Sequence, residues 1–321
     1  MTLADRQEHL QLTIAQLDLF AADLATLLAL ASDRLRRAEP MSGHTTFRVG
    51  GPADFFIEPT SATELSAILR MARQHRLPVT VLGNGSNVVV ADRGIRGLVI
   101  SLGQPMAAIR RKGDCLVAEA GALLSSVAAF AAREGLGGLA FASGIPGTIG
   151  GAVMMNAGAY EHCMADVVRS ARYLASDWSE HTAAGPELAF GYRTSCFKGT
   201  DRIVTETTVC LTPQDPAEIL AEMAALAVRR RTSQPLELPS AGSAFKRPPG
   251  HYAGKLIADC GLKGFSVGGA SVSTKHAGFI VNHGQATASD VAAVFNHVQA
   301  TVERETGILL EREVLFIGDW D

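Results

Sequence analysis

The sequence predicts a mixed helix-and-strand protein of two domains, and three observations carry that expectation. Its 321 residues exceed what one ordinary domain needs. From Pro40 onward, short β-like runs bounded by turn signals alternate with helical stretches. Between them lies an uncharged, glycine-rich stretch, residues 141–160, in which Ile145, Ile149, Val153, Met154 and Met155 require burial. A stretch of that kind is not a flexible linker, so it is expected to be irregular backbone held in a core. Its glycines suit positive φ or a close backbone approach. Buried irregular backbone needs acceptors for its N–H groups, which the phosphates of a flat polar cofactor would supply; the alternative is a glycine-rich turn between strands.

Composition narrows the class. With 47% hydrophobic residues, 19% charged residues and a formal net charge of -3, the chain reads as an ordinary soluble globular protein without a nucleic-acid footprint. Arg229, Arg230 and Arg231 form the notable basic run, either a solvated helix end or a phosphate contact. Five cysteines, widely spaced and lacking a C-x-x-C pair, argue for a reducing compartment and against zinc, so no metal site is expected. No basic segment followed by an apolar one opens the chain, and no apolar run reaches the ~18 residues of a membrane span. A cytoplasmic protein without membrane contact is expected.

Taken in order, residues 5–37 read as one amphipathic helix, with Leu10, Ile14, Leu17, Ala21, Leu24, Leu28, Ala31 and Leu35 in steps of four and three. Leu12, Leu19, Phe20, Leu27 and Leu30 widen the apolar face, which docks either on the body of the protein or on a second subunit. Residues 44–53 place Gly50 and Gly51 between two β-like runs. A helix over 62–75, opened by Ser61 or Thr63, leads to a buried strand at 78–82. That strand enters Gly83-Asn84-Gly85-Ser86-Asn87, and a strand resumes at 88–90. The loop lacks the third glycine and following helix of a dinucleotide fingerprint and the lysine of a phosphate-binding loop. It presents consecutive N–H groups and polar side chains suited to a diphosphate, and alone it reads equally as a β-turn.

Strands are expected at 98–101 and 116–119, and a helix at 125–134. Beyond the glycine-rich stretch come β-like runs at 167–175, 202–205 and 207–211, with Tyr192-Arg193-Thr194-Ser195 between the first two. A helix at 216–231 and a proline-containing segment at 232–239 mark a crossing into a second domain. There we expect a helix at 253–260, strands at 270–273 and 278–282, a helix at 289–306 and a final strand at 310–318.

Five stretches, residues 44–53, 83–87, 143–160, 191–195, and 241–247 with 311–318, occur in the order seen in one family. From about residue 42 to residue 318 the chain resembles the UDP-N-acetylenolpyruvoylglucosamine reductases, in the shorter subgroup that lacks a tyrosine-bearing lid insertion. The resemblance implies an α+β fold: an FAD-binding portion of the vanillyl-alcohol-oxidase type made of two α+β subdomains, plus a C-terminal α+β substrate domain. On that division residues 1–38 are an N-terminal helical extension, 39–215 the FAD-binding domain with subdomains at about 39–105 and 106–215, 216–309 the substrate domain, and 310–321 a strand returning to the active site.

The resemblance further implies FAD and NADPH as cofactors and UDP-N-acetylglucosamine enolpyruvyl ether as the small-molecule substrate. Carried onto this sequence, the cofactor contacts fall on Arg48, Gly50, Gly51, Gly83, Asn84, Gly85, Ser86, Asn87, Ser143, Gly144, Pro146, Gly147, Thr148, Gly150, Gly151, Asn156, Ala157 and Gly158. The catalytic set falls on Arg193, Ser243 and Glu313, with Tyr192, Lys246 and Lys255 toward the substrate. Hydride passes from NADPH to flavin and then to C3 of the enolpyruvyl group, pushing charge through C2 into the carboxylate. An arginine can take that carboxylate bidentately, a protonated Glu313 can meet the enolic oxygen, and Ser243 can protonate C2.

The same residues admit plainer roles. Arg193 alone would be a surface arginine, Ser243 a turn residue and Glu313 an exposed carboxylate, while Arg247, His44, Lys275 and His276 fit surface or packing positions as well as a site. A flavin oxidase acting on an alcohol or sugar, and a flavin-binding scaffold organised by the N-terminal helix, are the competing readings.

Overall fold

The computed structural model describes residues 13–28 and 34–320. The chain passes between two compact units, one made of residues 1–37, 55–84 and 97–228, the other of 38–54, 85–96 and 229–321. Each unit is therefore assembled from separated pieces of sequence.

In the first unit, helix α1 (Ile14–Leu28) buries Phe20 and Leu24, four residues apart on one face. Phe20 meets Phe55 at 5.4 Å and His75 at 5.6 Å, so the helix docks on its own unit. Ile14, Leu19 and Leu27 stay exposed. The expected helix over 5–37 is shorter among the described residues, since 5–12 and 29–33 lie outside them and Arg36–Pro40 is a strand. Cross-chain contacts override the helical period there: Arg36 and Arg37 lie over Phe56 and Phe55 and pair with Glu58 and Asp18.

Helix α2 (Ala62–Gln74) starts where Ser61 caps it, its hydroxyl accepting from Glu64 N–H at 3.1 Å. Leu65, Ile68, Leu69 and Ala72 form its buried stripe, and each large apolar side chain contributes about 1.5–3 kcal/mol. A four-stranded sheet has the order Arg36–Pro40, Pro52–Ile57, Ile95–Ser101, Val79–Leu82. The other sheet of this unit is antiparallel, in the order Glu180–Ala184, Val168–Leu174, Ile203–Cys210, Cys115–Glu119, Ile109–Lys112. Its outer strands, Ile109–Lys112 and Glu180–Ala184, carry the polar composition of sheet edges and gave no apolar signal in the sequence. The two runs expected at 202–205 and 207–211 form a single strand.

Two expectations are corrected in this unit. Cys115 and Cys210 stand directly opposite each other on adjacent antiparallel strands and form a disulfide, so the cysteine count does not signal a fully reduced chain. Their separation of 95 residues concealed the pairing, which only the sheet register creates. The stretch 141–160 is likewise not irregular throughout. After helix α3 (Leu124–Arg133), Thr148 caps helix α4 (Ile149–Met155), and Gly150 lets α4 pack closely onto Ala120, just past the Cys115–Glu119 strand. Helix α5 (Pro216–Ser233) ends the first unit and buries only Ile219 fully.

The second unit has its own core, centred on helix α7 (Ala288–Thr306), which buries Val291, Val294, Phe295, Val298 and Val302. Thr287 and Asp290 form a capping box at its start, and Gly307 ends it with φ 72°. Asp92 adds a further cap, its carboxylate accepting from Ala288 N–H at 2.7 Å and Ser289 N–H at 2.8 Å. Helix α6 (Ala253–Asp259) and the antiparallel strands Ser266–Val267, Ala270–Val272 and Ile280–Asn282 complete this core.

Leu315–Ile317 pairs in parallel with Val88–Val90, so the last strand is shorter than the expected 310–318. The expected pair of β-like runs at 44–53 is also different: Met41–His44 is a 3-10 turn, and only Pro52–Ile57 is extended in a sheet. Among the described residues no helix is long and apolar enough to cross a membrane, and no group of three or more His, Cys, Asp or Glu side chains could hold a metal ion.

Candidate functional site

In the first unit two loops form a cradle. The residue at Gly83 ends the Val79–Leu82 strand against Thr148: a Cβ built there would lie 2.3 Å from Thr148 Oγ1. Asn84 extends the contact, its side-chain amide donating to the carbonyl of Pro146 at 2.5 Å. Opposite, Gly150 lies so close to Ala120 that a Cβ would sit 2.8 Å from the Ala120 Cβ, while Gly150 N–H donates to Ala120 O at 3.0 Å. A side chain at either glycine would fill the space that lets these backbones meet. Gly151 differs, since nothing lies nearer to its missing Cβ than Thr148 Oγ1 at 3.6 Å. Close packing at Gly83 and Gly150 beside an unobstructed Gly151 is compatible with main chain approaching a diphosphate.

No positive-φ glycine lies within 141–160 among the described residues. The left-handed positions there belong to Asn156 and Tyr160, with φ of 43° and 54°, and Glu161 just beyond follows at 71°. Glycine serves close approach in this stretch, and side-chain anchors hold the unusual dihedrals.

Asn156 follows α4 and is 6% exposed. Its Nδ2 donates to Gly191 O at 2.9 Å and its Oδ1 accepts from Ala165 N–H at 2.9 Å. Gly191 and Thr194 exchange main-chain hydrogen bonds at 3.1 and 3.3 Å, closing a tight turn with Tyr192 and Arg193 at its tip. Arg193 takes φ 53°, half-buried, and its guanidinium lies 5.3 Å from the centre of the Tyr192 ring. Lys198 Nζ donates to Arg193 O at 2.9 Å, and Ser195 Oγ donates to Met154 O at 2.8 Å. The arginine turn is thus fastened to the C-terminal end of α4, next to the cradle. Sequence reasoning missed Lys198 and Ser195 as supports; the buried hydroxyl in an aromatic context was the available signal.

The second unit carries the remaining predicted residues. Arg48 is exposed at φ 57°, on a loop whose Gly50 and Gly51 press against Val90 and the carbonyl of Asp92. Asn282, 2% exposed, fixes that loop by donating to Phe47 O at 3.0 Å, a role legible afterwards as a lone polar residue in an apolar strand. Gly85, at φ 58°, accepts from Thr46 N–H through its carbonyl at 3.2 Å. Asn87 Nδ2 donates to Glu313 O at 3.1 Å.

Glu313 N–H in turn donates to Ala244 O at 2.9 Å, and Phe245 bridges to Arg312. Ser243 bridges on its other side to Phe279, while Ala244 N–H donates to Gly278 O at 2.8 Å. The backbones bearing Ser243 and Glu313 therefore run side by side. Arg312 fixes the register, reaching Gln299 Oε1 at 2.9 Å with its guanidinium 4.4 Å above the Phe316 ring. Burial lowers the Arg312 pKa from its ordinary value.

Lys246 pairs with Glu311, and Lys255 pairs with Asp259 on its own helix at 2.7 Å. Arg247 stacks 4.0 Å from the Tyr252 ring, and Lys275 donates to Arg231 O at 2.6 Å. His276 Nδ1 accepts from Gly278 N–H at 3.1 Å, and burial lowers its pKa. His44 pairs with Glu39 at 2.7 Å.

The class is that of a flavin-nucleotide protein, since residues 53–178 match the family described as FAD binding domain. Residues 234–317 match the C-terminal domain of UDP-N-acetylenolpyruvoylglucosamine reductase. A protein of that name from Agathobacter rectalis is 48% identical over 298 residues, covering 89% of this chain and 95% of the relative. Another, from Levilactobacillus brevis, is 48% identical over 298 residues, covering 93% and 97%. The crystal structure of UDP-N-acetylenolpyruvylglucosamine reductase from Thermus caldophilus superposes with a TM-score of 0.77 at 38% identity, covering 88% of this chain and 99% of that one. The chain belongs to the UDP-N-acetylenolpyruvoylglucosamine reductase family, an α+β flavoprotein family with FAD as its cofactor.

Proposed function

We propose that this chain reduces UDP-N-acetylglucosamine enolpyruvyl ether to UDP-N-acetylmuramate, with FAD and NADPH, in peptidoglycan precursor synthesis. The observation that carries the reading is the hydrogen bond between Glu313 N–H and Ala244 O, which sets a hydroxyl and a carboxyl on neighbouring backbones in a chain of this family. FAD, when bound, would supply the hydride chemistry that links NADPH to C3 of the enolpyruvyl group.

In the first unit the cofactor would be held by Gly83 and Asn84, the 143–151 segment and residues 156–158, with Asn156 contributing main chain alone because both ends of its amide are taken within the protein; in the second, by Arg48, Gly50, Gly51 and the 85–87 loop. The tight packing at Gly83 and Gly150 and the open face at Gly151 support that assignment.

Arg193 receives the substrate carboxylate. As charge moves from C3 through C2 into that group, a guanidinium already in place gains strength of interaction without reorganising. The strained, anchored turn suits this task, since a fixed donor loses little entropy on binding. Glu313 places its carboxyl group toward the enolic oxygen. Ser243 gives its proton to C2 and recovers one from solvent, fixing the configuration of the lactyl centre. Tyr192 borders the same turn, and Lys246 and Lys255 would turn from Glu311 and Asp259 to meet the substrate diphosphate. A nucleotide-sugar substrate and NADPH place the reaction in the cytoplasm.

The test is product analysis. Incubation with the enolpyruvyl sugar and NADPH should convert the vinyl proton signals into a lactyl methyl doublet in step with NADPH oxidation. Vinyl signals that persist while NADPH is consumed would refute the assignment.

A further inference from the structure

The side chain of Asn156 satisfies both ends of its amide within the protein, one end on the Arg193 turn and the other on the loop at Ala165. A carbonyl meets Nδ2 and an N–H meets Oδ1, so the partners fix the amide orientation. The residue is 6% exposed and takes a left-handed conformation after α4, with φ 43° and ψ 56°. Ala157 N–H donates to Ala152 O at 2.8 Å, completing the end of that helix. A buried asparagine in this conformation satisfies the helix terminus and at the same time grips a second segment.

The gripped segment is strained. Arg193 has φ 53°, a conformation that is costly for a non-glycine residue and persists only where its surroundings over-determine it. Gly191 O accepts from both Thr194 N–H and Asn156 Nδ2, so the Asn156 bond lands on the residue that closes the turn. Ser195 Oγ and Met154 O add a parallel tie between the same two segments.

We propose that Asn156 is a positioning residue for the reductase reaction: its amide sets the Arg193 turn relative to the α4 end of the cofactor cradle. This rests on the role given above to Arg193. The substitution Asn156→Asp isolates the contact, because an acid of the same shape still accepts from Ala165 N–H but presents an anion to Gly191 O in place of a donor. Misplacement of a carboxylate-binding arginine by a fraction of an ångström to an ångström slows the step that uses it by about 10- to 100-fold. Holding the cofactor and reducing it with NADPH do not require that bond.

The experiment compares wild-type holoenzyme with Asn156→Asp and Asn156→Gly, the latter keeping the left-handed backbone without a side chain. Flavin content, thermal melting, anaerobic flavin bleaching by NADPH, and flavin return on adding the enolpyruvyl sugar are measured. Calorimetry of the apoprotein with UDP-N-acetylmuramate, itself a carboxylate, adds a readout independent of turnover. Asn156→Asp is expected to keep its flavin and to bleach within about 3-fold of the wild-type rate. It should return about 10- to 100-fold more slowly and bind UDP-N-acetylmuramate about 10-fold more weakly. If Asn156→Asp does not fold, Asn156→Gly is judged by the same criteria.

Return and product binding at wild-type levels would overturn the proposal. So would equal loss in both half-reactions together with loss of flavin, or failure of both variants to fold, since Asn156 would then serve the cofactor or the fold as a whole. A wild-type enzyme whose reduced flavin ignores the sugar would remove the reductase reading and this proposal with it. A normal wild-type cycle with an unaffected Asn156→Asp would remove the proposal alone.

Discussion

The side-chain amide of Asn87 donates to the main-chain carbonyl of Glu313 at 3.1 Å. Glu313 N–H is spent on Ala244 O, so the residue is held through its backbone on both sides. Its position then depends on a loop more than two hundred residues earlier, since the strand Leu315–Ile317 pairs with Val88–Val90 just beyond. Asn87→Ala should cost about 1–3 kcal/mol of stability by leaving a carbonyl unpaired, and should lower turnover more than it lowers flavin content. Thermal melting and flavin-normalised turnover check this; unchanged turnover per flavin would show that the contact does not place Glu313.

Ser243 lies one residue from the Ala244–Glu313 bond and is exposed on its loop. Ser243→Ala removes a hydroxyl without disturbing the Phe279 bridge, which is made by backbone. Flavin bleaching by NADPH should remain near the wild-type rate. Transfer to the enolpyruvyl sugar should slow by about 10²–10⁴-fold, the range typical of a positioned proton donor. Two normal half-reactions in stopped-flow would assign the proton to another group.

Cys115 and Cys210 are bonded, leaving Cys163, Cys196 and Cys260 as thiols. Denatured protein kept from reductant should titrate three thiols, and reduced protein all five. Closing so long a loop restrains the unfolded chain, so Cys115→Ser should lower stability by about 2–4 kcal/mol. Five thiols in unreduced protein would place the pair in its dithiol form.

The cap of α7 gives a pH signature. Hydrogen bonding from the Thr287 N–H, with that from the Thr287 hydroxyl and Gly269 N–H, holds the Asp290 carboxyl below its usual value of 3.8. A folded-state pKa below the unfolded one stabilises above the unfolded value, and the gain disappears as pH falls through the folded value. Asp290→Asn should therefore melt below wild type at neutral pH, with the difference shrinking as the pH drops below about 4. A difference that is constant across that window would show that charge has no part in the cap.

Helices α2, α3, α5, α6 and α7 were legible because their periodicity agreed with what tertiary packing required. Helix α4 was not, since its first turn is glycine-rich and its helical state depends on the Thr148 cap and contact with Ala120. The edge strands Ile109–Lys112 and Glu180–Ala184 carry little apolar signal, and the Cys115–Cys210 bond exists only through sheet register. At the site, motif order pointed to Arg193, Ser243 and Glu313. Ser195 and Asn282 act through backbone partners far away in the sequence, Met154 and Phe47, which their local signal as polar residues among apolar ones does not identify. Lys198 acts on the nearby Arg193 carbonyl only because the turn folds back.

The most direct test of the account is an anaerobic visible spectrum of the holoenzyme, first with NADPH and then with UDP-N-acetylglucosamine enolpyruvyl ether. The account predicts that NADPH bleaches the flavin band and that the sugar nucleotide restores it without oxygen. A band that bleaches with NADPH but returns only when air is admitted would contradict the reductase assignment and favour an oxidase on the same cofactor fold.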